Sequence, residues 1–185
     1  KTAGGGHVAR CASLSTALRS RGWFTFVTLP RTDDRVFLKK LEELFSQSVD
    51  LTDSGAVSAE ALSLAMPNGC DLLVIDDYGC DRQFETACKS WAKTIMVIED
   101  QPNRGHDCDI LLDQTFGRRA DDYKDKVPAA AVVLCGSHYA LLRHEFRIAR
   151  VRSLKSRLDE AHKPKRIFIS MGAGDTTDAT AVVLE

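Results

Sequence analysis

The sequence predicts an α/β protein built on a doubly wound parallel sheet, and three features carry that prediction. Short apolar segments alternate along the chain with amphipathic segments of helical period. Two apolar segments, 72–76 and 94–98, are continuous runs of the kind that form parallel strands covered on both faces. A glycine run at 4–6 leads directly into the first helical segment. Strands alternating with helices imply right-handed crossovers, so the predicted architecture is Rossmann-like.

The predicted strands are short, and turn residues or charges bound them. Trp23 opens a β-rich stretch that Pro30 closes, and Asp71 and Asp76 flank the clearest apolar run. We predict strands at 23–29, 72–76, 94–98, 110–112, 131–134 and 166–170, with a weaker strand at 49–51.

The predicted helices show an apolar stripe at helical spacing. In the first helix this stripe includes Val8, Cys11 and Leu18, and it ends at Gly22. We predict helices at 8–21, 33–46, 57–66, 81–92 and 118–126, and a long charge-rich helix at 141–161 whose basic residues form an exposed face.

The order of these elements predicts one domain followed by the start of another. We assign 1–140 to an N-terminal Rossmann-like domain, 141–164 to an interdomain helix and linker, and 165–185 to the beginning of a C-terminal nucleotide-binding domain. The glycine run enters its helix without a strand ahead of it. Since such loops normally leave the end of a strand, we expect that a first strand is missing from this chain.

The composition narrows the possible functions. The chain has 185 residues, of which 44% are hydrophobic and 28% charged, and a formal net charge of −1. This balance argues against nucleic acid as a partner, because no positive surplus is available to neutralise phosphates. No apolar run approaches the roughly 20 residues that span a bilayer. Six cysteines lack zinc-site and CxxC spacing, which indicates reduced thiols and a cytoplasmic location.

Ligands of open parallel sheets bind outside the carboxyl ends of the strands, and that rule selects the candidate site residues. Gly4, Gly5 and Gly6 leave room for a ligand beside the unpaired amides of a helix start. His7 follows them and could be a general base, although many such histidines only cap a helix. The loop lacks the Lys-Ser/Thr of a P-loop and is an incomplete dinucleotide motif.

Other strand ends supply further candidates. Asp77 or Tyr78 could orient a sugar hydroxyl or a water molecule, and capping of the next helix is an equally good interpretation for the aspartate. Gln114 lies at the end of the 110–112 strand. We interpret the segment 105–109, with one histidine and one cysteine, as a solvated loop rather than a zinc site.

Five separated segments, at 4–11, 73–78, 106–114, 139–146 and 169–175, together resemble the UDP-2,4-diacetamido-2,4,6-trideoxy-β-L-altropyranose hydrolases of pseudaminic acid biosynthesis. Related spore-coat polysaccharide proteins share the pattern. The resemblance implies a two-domain GT-B architecture with the active site between the domains. It also implies inverting hydrolysis of a UDP-sugar, with no metal and no cofactor.

By the same resemblance, His7 matches the histidine that activates water, and Tyr78 matches a cleft residue near the sugar. The loop at 172–175 matches the start of the nucleotide-side domain. The implied substrate-binding residues are Gly4, Gly5, Gly6, Asp77, Tyr78, Gln114, Gly172, Ala173 and Gly174. The chain departs from the family at 171–175, and it has Gly105 and His144 where proline is common.

Two other functions remain open at this stage: an inverting UDP-sugar glycosyltransferase of GT-B type, and a non-catalytic sugar-nucleotide-binding protein. Fold analogy alone does not separate them. Because the segment 165–185 opens a domain without completing it, we expect this chain alone to have little hydrolase activity. The sequence leaves the exact sugar and the oligomeric state undetermined.

Overall fold

A computed structural model describes residues 5–28, 45, 47–49, 57–158, 167–169 and 179–184, and it contains two parallel sheets. The strands, in chain order, are β1 (Phe26–Thr28), β2 (Gln47–Val49), β3 (Leu73–Ile75), β4 (Ile95–Ile98), β5 (Ile110–Asp113) and β6 (Val132–Cys135). One sheet pairs β1 with β2, and the other has the order β3-β4-β5-β6. Every one of these pairings is parallel, which confirms the predicted parallel α/β class.

The helices connect the strands and cover the sheet. They are α1 (Gly5–Arg19), α2 (Ala59–Ala65), α3 (Arg82–Cys88), α4 (His144–Arg157) and α5 (Ala179–Leu184), with 3-10 turns at Ala120–Tyr123 and Ser137–Tyr139. Side chains cap two of them: Ser58 accepts the backbone N–H of Ala61 at the start of α2, and Asp81 accepts that of Phe84 at the start of α3.

The central strand β4 is buried on both faces, and its side chains alternate between two apolar clusters. Ile95 and Val97 belong to the cluster that also contains Phe84 of α3 and Tyr123. Met96 and Ile98 point to the opposite face, where Leu14 of α1 joins their cluster. Helices therefore cover both faces of the sheet, as a doubly wound architecture requires.

Several predicted boundaries were wrong, each for a physical reason. The strand predicted at 23–29 begins only at Phe26, where the pairing with Gln47 of β2 begins, and residue 29 lies outside the described residues. The helix predicted at 118–126 is a single 3-10 turn that ends at Tyr123, because Lys124 has a non-helical ψ of 134° and Asp125 follows with a φ of 62°. The helix predicted at 81–92 ends at Cys88, since Ala92 already bridges to Cys70.

The C-terminal predictions have mixed outcomes. The long helix begins at His144 rather than 141, and all of its residues are exposed or accessible, as predicted for a charge-rich face. Within the described part of the chain, residues 167–169 are not paired into either sheet, so the strand predicted at 166–170 is not formed there. Ile167 and Phe168 are instead highly exposed.

Some predictions fall outside the described residues. These are most of the predicted helix at 33–46, the end of the 49–51 strand, and the loop at 171–175. The division into 1–140, 141–164 and 165–185 stays a prediction. Of the helices that the structure describes, none combines the length and apolar character needed to cross a bilayer.

Leu111 lies at the centre of the sheet with no exposed surface, and Leu64 on α2 is 82% exposed. We expect Leu111→Ala to lower the free energy of unfolding by about 2–5 kcal/mol, because it leaves a cavity in a packed core. The matched control Leu64→Ala should change it by less than about 0.5 kcal/mol. Urea denaturation of both variants measures the difference. Equal stabilities would contradict this description of the core.

Candidate functional site

His7 lies in the first turn of α1, above the carboxyl end of β3. Its Nδ1 is 2.7 Å from Oδ1 of Asp76, the residue that follows β3. Its ring meets the ring of Tyr78 edge-to-face, with 5.3 Å between centroids. The His7 side chain is 20% exposed, and the space beside Gly6 is open. His7 is therefore both held by the protein and accessible to a ligand.

The carboxylate of Asp76 is the point where α1 meets the sheet. Its side chain is only 5% exposed, and it accepts four hydrogen bonds, one of them from His7. Arg10, one turn after His7, donates from Nε at 2.6 Å and forms a second bond from Nη2. The Cys11 thiol donates to Oδ2 at 3.4 Å. Because these donors satisfy its oxygens, the carboxylate of Asp76 can be buried away from water.

The surroundings of Asp76 keep Arg10 and Cys11 protonated. Burial alone would lower the pKa of Arg10, but hydrogen bonding and Coulomb attraction to Asp76, together with the charge of Asp100, raise it above its ordinary value. Burial, reinforced by the negative charge of Asp76, raises the pKa of the Cys11 thiol to about 12. Arg10 therefore stays cationic, and Cys11 stays a neutral thiol that can donate.

The contact with Asp76 determines the tautomer of His7. A nitrogen 2.7 Å from a carboxylate oxygen carries the hydrogen, so Nδ1–H donates to Asp76. Arg10 Nη2 is also 3.1 Å from that nitrogen, but both groups are then donors and no hydrogen bond joins them. In neutral His7, Nε2 consequently keeps its lone pair for a proton acceptor role.

Tyr78 closes a ring of contacts around the site. Its hydroxyl donates to the carboxylate of Asp100, at 2.7 and 2.8 Å from the two oxygens. Arg10 Nη1 lies 3.7 Å from the same carboxylate. The hydrogen bond to Asp100, with smaller contributions from burial and charge, raises the pKa of Tyr78 to about 12. Tyr78 is thus a neutral phenol whose exposed ring lies against His7.

A buried charge network supports this edge of the sheet from below. Glu99, directly after β4, binds Arg104 Nε at 2.7 Å, and Arg104 donates in turn to the backbone oxygens of Tyr78 and Cys80. His106 donates to Glu85 at 2.7 Å, and its Nε2 lies 3.4 Å from Glu99. The network therefore ties the loops after β3 and β4 to one another.

The interpretation of 105–109 as a solvated loop was wrong. His106 and Cys108 are fully buried, because Glu85 of α3 pairs with His106 and also accepts the backbone N–H of Asp107. Burial would lower the pKa of His106, but hydrogen bonds to Glu85 and Glu99 raise it above its ordinary value. Among the described residues, no three His, Cys, Asp or Glu side chains are grouped as a metal site would require.

The other sequence candidates are more dispersed. Asp77 is exposed, and its Oδ1 accepts the backbone N–H of Gly79 at 2.7 Å in a local turn. The capping interpretation was wrong, because Asp81 caps the next helix. Gln114 is half-buried, and its side-chain oxygen accepts the backbone N–H of Leu141. Gly5 and Gly6 lie in the first turn of α1. Gly4, Gly172, Ala173 and Gly174 lie outside the described residues.

Sequence reasoning missed Asp76, Arg10 and Asp100. Two signals could have found the first two. Because side chains alternate along a strand, Asp76 lies on the α1 face with Val74, opposite Ile75. Arg10 is three residues after His7, on the same side of a helix. Asp100 had no comparable local signal, since only the fold brings it to Tyr78.

The sequence comparisons agree with the motifs. The chain is 32% identical over 116 residues to a UDP-2,4-diacetamido-2,4,6-trideoxy-β-L-altropyranose hydrolase of Campylobacter jejuni. The match covers 63% of this chain and 40% of that protein, so the chain spans about two fifths of the relative's length. No family model matches the chain. The match confirms the resemblance to this hydrolase that the motifs indicated.

Hydrogen bonding of Glu99 predicts a specific acid dependence of stability. Burial opposes its charge, but bonds from His106, Arg104 and two backbone amides lower the pKa of Glu99 from 4.5 to about 2. A lowered pKa stabilises the fold above pH 4.5 and loses that contribution as the pH falls towards 2. We therefore expect Glu99→Gln to flatten the decline of unfolding free energy across this interval.

Urea unfolding at about pH 5 and about pH 3 measures that slope. Glu99→Gln should also cost about 3–5 kcal/mol near neutrality, because it leaves buried partners unpaired. The control Glu145→Gln, on the exposed surface of α4, should change stability by less than about 0.5 kcal/mol. If the unfolding free energy of Glu99→Gln declined with falling pH as steeply as that of the wild type, Glu99 would not be the source of the acid dependence.

Proposed function

We propose that this chain carries the catalytic histidine of a metal-independent hydrolase that cleaves a UDP-linked amino-deoxy sugar, as part of nonulosonic (pseudaminic) acid or surface polysaccharide biosynthesis. The observation that carries the proposal is the Asp76–His7 pair at the carboxyl edge of a parallel sheet. The named activity of the similar Campylobacter jejuni protein supports the reaction and the substrate class.

In this proposal, His7 acts as a general base. Water gives a proton to Nε2 while its oxygen bonds to the anomeric carbon, and the bond from that carbon to UDP breaks with its electron pair leaving on the diphosphate. Asp76 accepts the Nδ1 hydrogen, so it holds the reactive tautomer and stabilises the imidazolium that forms. Arg10 in turn fixes the carboxylate of Asp76 with one hydrogen bond to each of its oxygens.

The proposed leaving group needs positive potential at the same edge. The first turn of α1, with Gly5 and Gly6, offers backbone N–H groups and the positive end of a helix dipole. We assign Gly172, Ala173 and Gly174 to the nucleotide side of a GT-B-type second domain, on the family resemblance. Closure of two domains over the cleft would exclude bulk water from the reaction.

Tyr78 is the best-supported sugar contact of the proposed site. Its ring is 48% exposed beside His7, while Asp100 fixes its hydroxyl. Its neutral phenol can pack against the apolar face of a sugar, and because its hydrogen is donated to Asp100, its oxygen can accept one hydrogen bond. Asp77 and Gln114 are assigned weaker roles, since each already uses one side-chain oxygen in a backbone contact.

The cysteines support a reducing location. All six are unpaired, and burial is the main cause that raises the pKa of each of four of them, Cys11, Cys80, Cys88 and Cys108, well above its ordinary value. Thiols kept protonated in this way react slowly. We therefore assign the protein to the cytoplasm, where thiols remain reduced.

Incubating the full-length protein with candidate UDP-sugars tests the proposed reaction. UDP release without an acceptor, with inversion at the anomeric carbon, is the expected result. Release that depends on an added sugar or lipid acceptor would identify a glycosyltransferase, in which His7 deprotonates a hydroxyl. Binding without turnover would identify a sugar-nucleotide-binding protein. The isolated 185-residue chain should show little turnover, since its match covers only 40% of the similar hydrolase.

His7→Asn in the full-length protein should lower kcat by about 10²–10⁴-fold, the usual scale for losing a general base. UDP affinity should change little, because the proposed second domain holds the nucleotide. His144→Asn, at the exposed start of α4, is the matched control and should retain kcat. Steady-state kinetics and thermal unfolding of the same variants distinguish a catalytic role of His7 from a stabilising one. Near-normal kcat with a lowered Tm would mean that His7 only stabilises the helix.

Asp76→Asn tests how His7 is oriented. An amide cannot hold the Nδ1–H tautomer or stabilise the imidazolium as a carboxylate does, so we expect kcat to fall by at least about 100-fold. Asp71→Asn, at the exposed amino end of the same strand, serves as the control and should leave kcat unchanged. Comparison of the pH–rate profiles completes the test. An Asp76→Asn enzyme with wild-type kcat and an unshifted acidic limb of the pH–rate profile would refute the pairing.

A further inference from the structure

Tyr78 and Asp100 lie in the loops after two different strands, and an arginine binds the backbone of each. Tyr78 follows β3, Asp100 follows β4, and the Asp100 carboxylate accepts the Tyr78 hydroxyl. Arg104 donates to the backbone oxygen of Tyr78 at 2.9 Å. Arg118 donates from Nη2 to the backbone oxygen of Asp100 at 2.8 Å. Each member of the pair at the candidate site therefore has its own arginine.

Arg118 is anchored on a buried carboxylate at the end of the neighbouring strand. Its Nε donates to Oδ2 of Asp113, the last residue of β5, whose side chain has no exposed surface. The Tyr123 hydroxyl donates to the same oxygen at 2.8 Å, and the backbone N–H of Thr115 donates to Oδ1 at 2.8 Å. Because a buried carboxylate is costly unless donors satisfy it, these bonds fix Asp113, and Asp113 in turn fixes Arg118.

The planar guanidinium of Arg118 bridges two acceptors from two strand ends. It uses Nε for Asp113 and Nη2 for Asp100, so one rigid group joins the loops after β4 and β5. The ion pair with Asp113 needs only Nε. The bond from Nη2 therefore has a separate effect, which is to hold the backbone of Asp100.

The backbone of Asp100 is held more firmly than its side chain. Its N–H donates to Glu99 at 2.9 Å, and its carbonyl oxygen accepts from Arg118. Its side chain is 33% exposed, and Arg10 Nη1 lies 3.7 Å from it, too far for a direct hydrogen bond. The backbone contacts consequently determine where the carboxylate lies, and a shift of that backbone would be transmitted to the Tyr78 hydroxyl.

We propose that Arg118 is a positioning residue of the candidate site: it holds the backbone of Asp100 so that the Asp100 carboxylate orients Tyr78 beside His7. Arg118 acts through Asp100 and not by contact with a ligand. The consequence for sugar affinity rests on the proposed function, because it requires Tyr78 to contact the sugar. The consequence for the orientation of Tyr78 does not.

Titration of the Tyr78 hydroxyl tests the orientation without any substrate. The hydrogen bond to Asp100 is the largest cause that raises the pKa of Tyr78 to about 12. In the full-length protein, followed by NMR of isotope-labelled tyrosine, Arg118→Lys should lower the pKa of Tyr78 toward its ordinary value of 10. Lysine keeps the charge beside Asp113, but its ammonium lacks the planar fork that also reaches Asp100.

Two further variants complete the titration. Tyr78→Phe identifies the Tyr78 signal by its loss. Arg119→Lys, at the exposed neighbouring position, is the matched control and should leave the titration unchanged. A Tyr78 hydroxyl that titrates in Arg118→Lys as it does in the wild type would overturn the proposal.

Steady-state kinetics test the consequence for substrate binding. With the UDP-sugar that the full-length protein hydrolyses, Arg118→Lys should raise KM about 10-fold, the scale of one hydrogen bond, and change kcat by less than about 3-fold. In an Asp100→Ala background the same substitution should have no further effect, because both residues act through one contact. An unchanged KM, or equal effects of Arg118→Lys in both backgrounds, would overturn the proposal.

Failure of the proposed function has a different signature. A full-length protein that releases UDP from none of the candidate UDP-sugars would contradict the hydrolase activity. The titration of Tyr78 would still decide the role of Arg118, since it is measured on the free protein.

Discussion

The carboxylate of Asp76 is the interaction on which the described architecture of the site depends. It ends the strand β3 and accepts hydrogen bonds from His7, Arg10 and Cys11, all on the first two turns of α1. A buried carboxylate is costly unless donors surround it, so the helix and the sheet are locked in one relative position. The same contact places the His7 ring against Tyr78 and leaves Nε2 free.

A second layer of charges stabilises the loops around that pair. Arg10 links Asp76 to Asp100, and Asp100 holds the Tyr78 hydroxyl. Beneath them Glu99 accepts a hydrogen bond from Arg104, and Arg104 donates to the backbone oxygen of Tyr78. His106 completes the buried network beside Glu99. Opposite charges alternate through these contacts, so each group is neutralised by its neighbours in a region with little water. The result is a preorganised strand edge, which a general base requires for efficient proton transfer.

Local patterns along the chain were sufficient to predict some parts of this protein. Continuous apolar runs predicted β3 and β4, and the glycine run placed His7 at the start of a helix, because neighbours in the chain decide these features. The contact between His7 and Asp76, 69 residues apart, arises only when the chain folds, and Asp77 instead accepts a bond from Gly79. The burial of His106 likewise required Glu85 and Glu99 from separate elements. Such contacts depend on how strands align and helices pack, which residue spacing does not encode.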